Sequence, residues 1–272
     1  MNASFTVASQ LTGAFKTKSK PLIFLVAVVF AGLQPQAKAQ TVVDLGSAAS
    51  FAILGGSAIT FTSGPVTLKG NIGSFPTATV NGIGNVSFVT GSDLTGNGVM
   101  STAKTDLATA YNAITGQATT NVGVTTFTNG GILTAGVYSI SSATTDITGT
   151  ITLNGSASDV FIFKMSSTLI TASGSQILLT GGAQASNVFW QVATSATLAG
   201  GTSVFEGNVL ALTSIDLGIG STLDGRLLAQ NGAVTLGGSD SVSAVPEPAT
   251  NALIAACAAF GLVLWRRRRV AI

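Results

Sequence analysis

The sequence lacks histidine altogether and is poor in cysteine and in charge. Of its 272 residues none is histidine, one is cysteine and 8% are charged. Without histidine there can be no His-ligated metal site and no Ser-His or Cys-His catalytic pair. The single cysteine, Cys257, lies close to the C-terminus, so no disulfide can form in the rest of the chain. These absences exclude two common kinds of active site, and for the sequence as a whole we expect no enzymatic activity and no cofactor.

The few charges are unevenly placed along the chain. The formal net charge is +2, but between residues 40 and 245 four basic residues face nine acidic ones, a net charge of −5. The other basic residues lie near the two ends. Because nucleic-acid binding depends on a basic surface, this distribution argues against a nucleic acid as partner.

The N-terminus reads as a secretory signal peptide over residues 1–39. Lys16, Lys18 and Lys20 precede the apolar stretch PLIFLVAVVFAGL, and Ala37-Lys38-Ala39 forms an A-x-A cleavage site. The apolar stretch is too short for a typical membrane-spanning helix. The chain is therefore predicted to be exported, with signal peptidase as a processing partner and residues 40–244 as its folded domain.

A second targeting segment is predicted over residues 245–272. Pro246-Glu247-Pro248 precedes an apolar run long enough for a transmembrane helix, and four arginines follow it. This order resembles the PEP-CTERM sorting signal. The resemblance implies processing by an exosortase, transient membrane anchoring, and release to the cell surface or into an extracellular matrix. A plain C-terminal membrane anchor is the alternative.

Residues 159–242 repeat a short pattern of apolar and small residues. Leucines preceded by Thr or Asp recur in this stretch, the last three of them 19 residues apart. These anchors are Leu169, Leu198, Leu217 and Leu236. A period near 19 residues, with alternating apolar positions and glycine-containing turns, is typical of a solenoid whose coils each contribute short strands.

Alternation within these strands predicts rows of short polar side chains. Successive side chains of a strand point to opposite faces, so the residue before each inward anchor points outward, as does the residue two places earlier. With Ile147 as an additional anchor, the first row is Asp146, Thr168, Thr197, Asp216 and Thr235, and the second is Thr144, Ser166, Ser195, Ser214 and Ala233. Neighbours would lie about 4.8 Å apart between coils and about 7 Å apart along a strand. Another outward row is predicted at Gln176, Ser203, Thr222 and Asp240.

Between Gly98 and Gly116 the apolar spacing becomes helical. The positions that recur are Val99, Ala103, Leu107, Ala110, Tyr111 and Ile114. Ser101 is predicted to cap the start of this helix and Gly116 to end it. The apolar stripe is expected to lie along one face of the solenoid.

Six segments, in order, carry a resemblance to the microbial ice-binding (antifreeze) protein family. They are DLGSAASFAILGGSAIT, TDLATAYNAITG, LTAGVYSI, DVFIF, SNVFWQV and DGRLLAQNGAVTL, and the resemblance extends over essentially all of residues 44–242. The resemblance implies a mainly β fold, a discontinuous right-handed β-solenoid of triangular cross-section with one long α-helix packed alongside. It also implies that the first and last segments meet in space and that one flat face binds ice. We expect the protein to act as a monomer that inhibits ice growth and recrystallisation.

The implied binding face coincides with the two polar rows and adds one residue from the N-terminal strands. The predicted ice-binding residues are Thr60, Thr144, Asp146, Ser166, Thr168, Ser195, Thr197, Ser214, Asp216 and Thr235. Two of them are carboxylates, whereas the family favours short uncharged side chains. The Thr-Ala/Gly-x-Thr/Asn motif of some members occurs only at residues 102–105 and 109–112, within the predicted helix, and we interpret both as chance matches.

Two other functions fit parts of the sequence. An adhesin or matrix protein that binds surface polysaccharide would also expose Ser and Thr on a β-fold. A polysaccharide lyase or hydrolase would use clustered acids, for which Asp146, Glu206, Asp216 and Asp224 are candidates. The only base nearby is Arg226, expected to pair with Asp224 or the backbone, and the acids read better as solvated surface groups. Phe189 and Trp190 are expected to be core residues.

Overall fold

The structure is a computed structural model that describes residues 42–122, 127, 129–201 and 203–245. These residues include one α-helix, α1 (Val99–Gly116), and three 3-10 helices, Gly46–Ser50, Ile83–Asn85 and Ala185–Asn187. The predicted signal peptide and the sorting motif Pro246-Glu247-Pro248 with its apolar run lie outside the described residues. Within the described ranges no helix is both long and apolar enough to cross a membrane.

The strands are short and follow one another closely along the chain. In chain order they are β1 (Phe51–Gly55), β2 (Ile59–Phe61), β3 (Val66–Lys69), β4 (Asn71–Ser74), β5 (Val80–Asn81), β6 (Val86–Thr90), β7 (Asn121–Val122), β8 (Gly131–Thr134), β9 (Gly136–Ile140), β10 (Thr144–Ile147), β11 (Thr150–Asn154), β12 (Phe161–Met165), β13 (Thr168–Thr171), β14 (Gln176–Thr180), β15 (Val188–Val192), β16 (Ala196–Leu198), β17 (Val204–Ala211), β18 (Ile215–Leu217), β19 (Thr222–Ala229), β20 (Val234–Leu236) and β21 (Ser241–Ser243). The mainly β prediction with one helix is thus confirmed.

Strands of successive coils pair in parallel, so each coil stacks on the next. A coil contributes three strand segments, and these form three faces. The first face contains β7, β9, β12, β15, the C-terminal halves of β17 and β19, β1 and β4. The second contains β10, β13, β16, β18, β20, β2 and β5, and the third contains β8, β11, β14, the N-terminal halves of β17 and β19, β21, β3 and β6.

The stack is discontinuous in sequence. The N-terminal coil β1–β3 pairs with the last coil of the chain on all three faces, through Ile53 with Leu227, Thr60 with Thr235, and Thr67 with Ser241. Segments that precede the helix therefore extend a stack built by segments that follow it, as the family resemblance implied. We call this junction the seam.

The interior of the coils is filled by in-register apolar side chains. Leu198, Leu217 and Leu236 are buried as predicted, and so are the residues two places before them. Aromatic rings form a ladder across the coils at one end, where the ring of Phe163 stacks at 4.1 Å on Trp190 and at 5.0 Å on Tyr138. Offset and edge contacts of this kind add stability beyond the area buried.

Helix α1 covers the first face. Its buried stripe of Met100, Ala103, Leu107, Ala110, Tyr111 and Ile114 packs on Leu54, Val137, Ile162, Phe189, Leu210 and Leu228. Phe189 is buried beneath the helix and Trp190 within the coils, which confirms the core assignment of both. Ser101 does not cap the helix: the N-cap is Gly98, and the Ser101 hydroxyl donates to the Gly98 carbonyl oxygen at 3.4 Å.

A buried arginine ties the two ends of the domain together. The guanidinium of Arg226, 1% exposed, donates to the carbonyl oxygen of Ala49 and to that of Val245, at 2.7 and 2.6 Å. It also donates to Asn208 Oδ1 at 2.7 Å. The prediction of backbone partners for Arg226 is confirmed. These hydrogen bonds connect the N-terminal segment to the last coil. Removing the arginine would leave its buried acceptors without a donor, so the contact stabilises the relative position of the two segments.

Candidate functional site

The second face is the one whose outward side chains are short at nearly every position, with Ile170 as the exception. It alternates as a half-buried sheet should: Ala196 and Leu198 are buried while Thr197 between them is exposed, and the same holds for Asp216 between Ile215 and Leu217. The apolar partners of helix α1 lie on the first face, so the second face stays open to solvent.

One row of outward residues runs down the middle of this face, and we call it the central row. In order along the stack it consists of Asp146, Ile170, Thr197, Asp216, Thr235, Thr60 and Asn81. Adjacent members sit on directly paired strands, so their backbones lie about 4.8 Å apart. The row crosses the seam at Thr235 and Thr60, which are far apart in sequence.

The rows on either side of the central row are also small. Two places before it lie Thr144, Thr168, Ser195, Ser214, Ala233 and Ala58, and two places after it lie Ala172, Ala199, Gly218, Gly237 and Thr62. No long side chain occupies either flank. The result is a nearly flat surface of methyl and hydroxyl groups at regular spacing, interrupted in the central row by Ile170, Asn81 and the carboxylates of Asp146 and Asp216.

Hydrogen bonds fix several of these hydroxyl groups. Ser214 Oγ donates to Ser195 Oγ at 3.0 Å, between adjacent coils. Asn81 Nδ2 donates to Thr60 Oγ1 at 3.4 Å, again between coils. Such contacts reduce the rotational freedom of the surface groups, and the ordering entropy that binding would otherwise cost falls with it.

The structure corrects the sequence alignment at one coil. Thr168 does not join Thr197 in the central row; it pairs with Thr144, and Ile170 takes the central position. The inward anchor that pairs with Leu198 is Thr171 rather than Leu169. A threonine serves there because its hydroxyl oxygen accepts the Ala199 N–H at 2.8 Å, which satisfies a polar group inside the coil.

Ser166 belongs to neither row. It lies in the turn between β12 and β13, where its N–H donates to the Ile140 carbonyl and its hydroxyl to that of Ser142. The other predicted residues lie together on the second face: Thr60, Thr144, Asp146, Thr168, Ser195, Thr197, Ser214, Asp216 and Thr235.

Sequence reasoning missed Ile170 and Asn81. Ile170 is an outward apolar residue, 38% exposed, flanked by inward Leu169 and Thr171. Alternation from inward Leu169 places Ile170 outward, but a large apolar residue did not fit the polar row that the sequence analysis followed. Asn81 lies on a strand of two residues whose coil lacks the leucine anchor of the repeat.

The corner between the second and third faces is held from inside by buried polar groups. Ser175, Ser203, Ser221 and Asp240 occupy equivalent positions there, each at most 5% exposed. The Asp240 carboxylate accepts the Ser221 N–H at 2.9 Å and the Gly238 N–H at 3.0 Å. Burial raises the pKa of Asp240, while these N–H donors act in the opposite sense. The prediction of outward Ser203 and Asp240 was wrong, because these side chains turn in to bond the corner.

The third face differs from the second in charge and relief. Glu206 and Asp224 are adjacent on paired strands, and Lys69 points outward two strands further on. Burial, followed by repulsion from Asp224, raises the pKa of Glu206 to about 7. Ile132 and Leu178 project from the same face, 69% and 42% exposed. This surface therefore carries charges of both signs and two large exposed apolar side chains.

The chain matches the family model described as ice-binding-like over residues 53–242. An ice-binding protein of Nostoc sp. (strain HG1) is 39% identical over 223 residues, 81% of each chain. A crystal structure of an ice-binding protein from an Antarctic biological consortium is 35% identical, with a TM-score of 0.71 over 76% of this chain and 93% of the other. That of an ice-binding protein from Antarctomyces psychrotrophicus is also 35% identical, with a TM-score of 0.69 over 75% of this chain and 99% of the other.

Proposed function

The chain belongs to the ice-binding-like family, and from that premise we propose that it adsorbs to ice through the second face and inhibits ice growth and recrystallisation. The observation that carries the proposal is the central row with its two flanks of short side chains, in register across consecutive coils. The residues proposed to contact ice are the uncharged members of the predicted set on this face, Thr60, Thr144, Thr168, Ser195, Thr197, Ser214 and Thr235, together with Ala58, Thr62, Asn81 and Ala233. Asp146 and Asp216, the two carboxylates of the same face, are left out of the contact set.

Adsorption follows from the geometry of this face. Hydroxyl and methyl groups repeat about every 4.8 Å along the stack, and a regular lattice of groups holds water molecules in positions compatible with an ice plane. Each contact is weak, but many form at once on a surface that loses little freedom on binding. Adsorbed molecules pin the growing front, which must curve between them, so growth slows. No covalent step is involved.

The finer architecture belongs to the same proposal. A right-handed coil with a triangular cross-section accounts for three faces per coil, and parallel crossovers are overwhelmingly right-handed. The proposal further includes export through the signal peptide over residues 1–39 and sorting through Pro246-Glu247-Pro248 by an exosortase. The processed protein would lie outside the cell or in a surface matrix, where polysaccharide is a further proposed partner.

The test introduces one bulky residue on each exposed face. Thr235→Tyr would lift the central row away from a flat crystal, whereas Thr222→Tyr, on the third face, is the matched control. We expect the purified protein to shape ice crystals and halt recrystallisation, and Thr235→Tyr to lose this activity while Thr222→Tyr keeps it. Thermal unfolding of both variants checks that the fold survives.

Three results would count against the proposal. Ice growing unhindered in the unmodified protein removes the function. Equal loss of activity in both variants removes the assignment to the second face. Loss in Thr222→Tyr alone transfers the site to the third face.

A further inference from the structure

Asp216 is the one member of the central row that breaks a run of uncharged side chains through the middle of the stack. Its strand pairs on one side with the strand of Thr197 and on the other with the strand of Thr235. Beyond Thr235 the row continues through Thr60 and Asn81 without a charge. With Asp216 in place, the longest uncharged run in the central row has three members, Thr235, Thr60 and Asn81.

The surroundings of Asp216 leave its carboxylate to the solvent. The residue is exposed, and the position two places after it is Gly218, which has no side chain. The position two places before it is Ser214, whose hydroxyl is already directed to Ser195 at 3.0 Å. Within the described part of the chain, none of the four basic residues lies on the second face: Lys69 is on the third face, Lys104 is on the helix, and Lys164 and Arg226 are on the first.

A carboxylate is poorly matched to an ice surface. It only accepts hydrogen bonds and offers about four acceptor sites, whereas each lattice water both donates and accepts. Removing water from an unpaired ionised carboxylate is also far more costly than removing it from a hydroxyl. A crystal that settles on this face must either leave Asp216 hydrated or approach only one part of the row.

We infer that Asp216 is a specificity-determining residue that limits how much of the central row a growing crystal uses. It divides the row into two sections, and the strength of adsorption is set by the longer section. Replacing Asp216 with threonine joins Ile170 and Thr197 to Thr235, Thr60 and Asn81, and the uncharged run grows from three coils to six. The inference rests on the proposed function, because it concerns the same face.

The experiment compares two substitutions of the same kind on different faces. Asp216→Thr changes the second face, and Asp224→Thr makes the same change at an exposed outward position of the third. Both remove one negative charge and both place a residue of higher β-propensity in a strand. Asp216→Asn, which keeps the shape and removes the charge, separates the effect of charge from that of the added methyl group.

The readouts are thermal hysteresis and the concentration that halts recrystallisation, measured on the purified protein alongside Thr235→Tyr. Because adsorption sums many weak contacts, we expect Asp216→Thr to raise hysteresis by about twofold, Asp216→Asn to raise it less, and Asp224→Thr to leave it unchanged. Thermal unfolding of each variant excludes a change in folded fraction.

The outcomes distinguish this inference from the proposed function. A loss of activity in Asp216→Thr would mean that the carboxylate itself contacts ice, and would overturn the inference while the proposed function stands. Equal gains in Asp216→Thr and Asp224→Thr would overturn it too, since the effect would then come from net charge. If the unmodified protein fails to bind ice, the proposed function falls first.

Discussion

A methyl group added at the seam should cost much more stability than the same group added elsewhere along the same corner. Gly238 has a φ of +123°, and a Cβ built on it overlaps the carbonyl oxygen of Ser63 from the N-terminal coil. Gly174 occupies the corresponding corner between β13 and β14, with a φ of +72°, and a Cβ there finds only the Gly201 carbonyl oxygen, at 3.6 Å. Comparing Gly238→Ala with Gly174→Ala separates the effect of close packing at the seam from the general cost of replacing a glycine.

The magnitude follows from two separate contributions. Alanine in a left-handed conformation costs about 1 to 2 kcal/mol, which is the whole effect expected for Gly174→Ala. Gly238→Ala carries a similar cost and in addition forces two backbones apart, which adds about 1 to 3 kcal/mol. We therefore expect Gly238→Ala to destabilise the protein by about 2 to 5 kcal/mol.

Denaturant unfolding of the purified protein measures both values, with an unchanged m-value as the check that the transition is comparable. If Gly238→Ala costs no more than Gly174→Ala, the N-terminal coil does not pack on the last coil as the structure has it. The reasoning about the seam, and with it the continuity of the central row from Thr235 to Thr60, would then fail.

Three further predictions concern ionisation and the core. Burial lowers the pKa of Lys104 to about 8, so above that pH the folded protein binds fewer protons than the unfolded chain. The free energy of unfolding should therefore rise from pH 8 to pH 10 relative to that of Lys104→Met. A difference between the two proteins that does not change with pH would contradict this. Because the pKa of Glu206 is raised to about 7, its ionisation destabilises the fold: Glu206→Gln should be the more stable protein at pH 8 but not at pH 4, as thermal melts at both pH values would show. Phe163→Ala should cost about 3 to 5 kcal/mol in denaturant unfolding, and Phe163→Leu clearly less because leucine keeps much of the buried apolar volume. Equal losses would contradict this, since the stability would then depend on the ring contacts with Trp190 and Tyr138 rather than on apolar burial.

The spacing of apolar residues in the sequence predicted the parts of the fold that are stabilised by buried apolar side chains. The helix over residues 99–116 was predictable because its apolar spacing differs from that of every strand, and Leu198, Leu217 and Leu236 were predictable because each repeats at the same interval. The seam was not predictable in this way. No local pattern links Thr60 to Thr235, and their proximity followed from the family resemblance alone.

The sequence prediction failed at positions where polar side chains are buried inside the coils in place of apolar ones. Thr171 serves as an inward anchor because its hydroxyl oxygen accepts a backbone N–H, and outward Ile170 beside it looks like a core residue. Asp240 likewise looks like a surface acid, yet its carboxylate is buried among backbone donors at a corner. A hydrophobicity pattern registers neither, because burial at these positions depends on hydrogen bonds made across coils.

The flatness of the second face is a consequence of the interior rather than a property of the threonines. Where Ala196, Ile215 and Val234 stack in register beneath it, each coil is held at the same depth, and the outward residues above them share a plane. The buried polar groups at the corner between the second and third faces, which include Asp240, hold one edge of that plane. The pairing at the seam extends the plane onto the N-terminal coil. A crystal plane is a demanding partner because it cannot adapt its shape, so a surface that binds it must be rigid before contact. In the proposed function the outward threonines supply the chemistry of the contact, and the buried repeat supplies the plane on which that chemistry is presented.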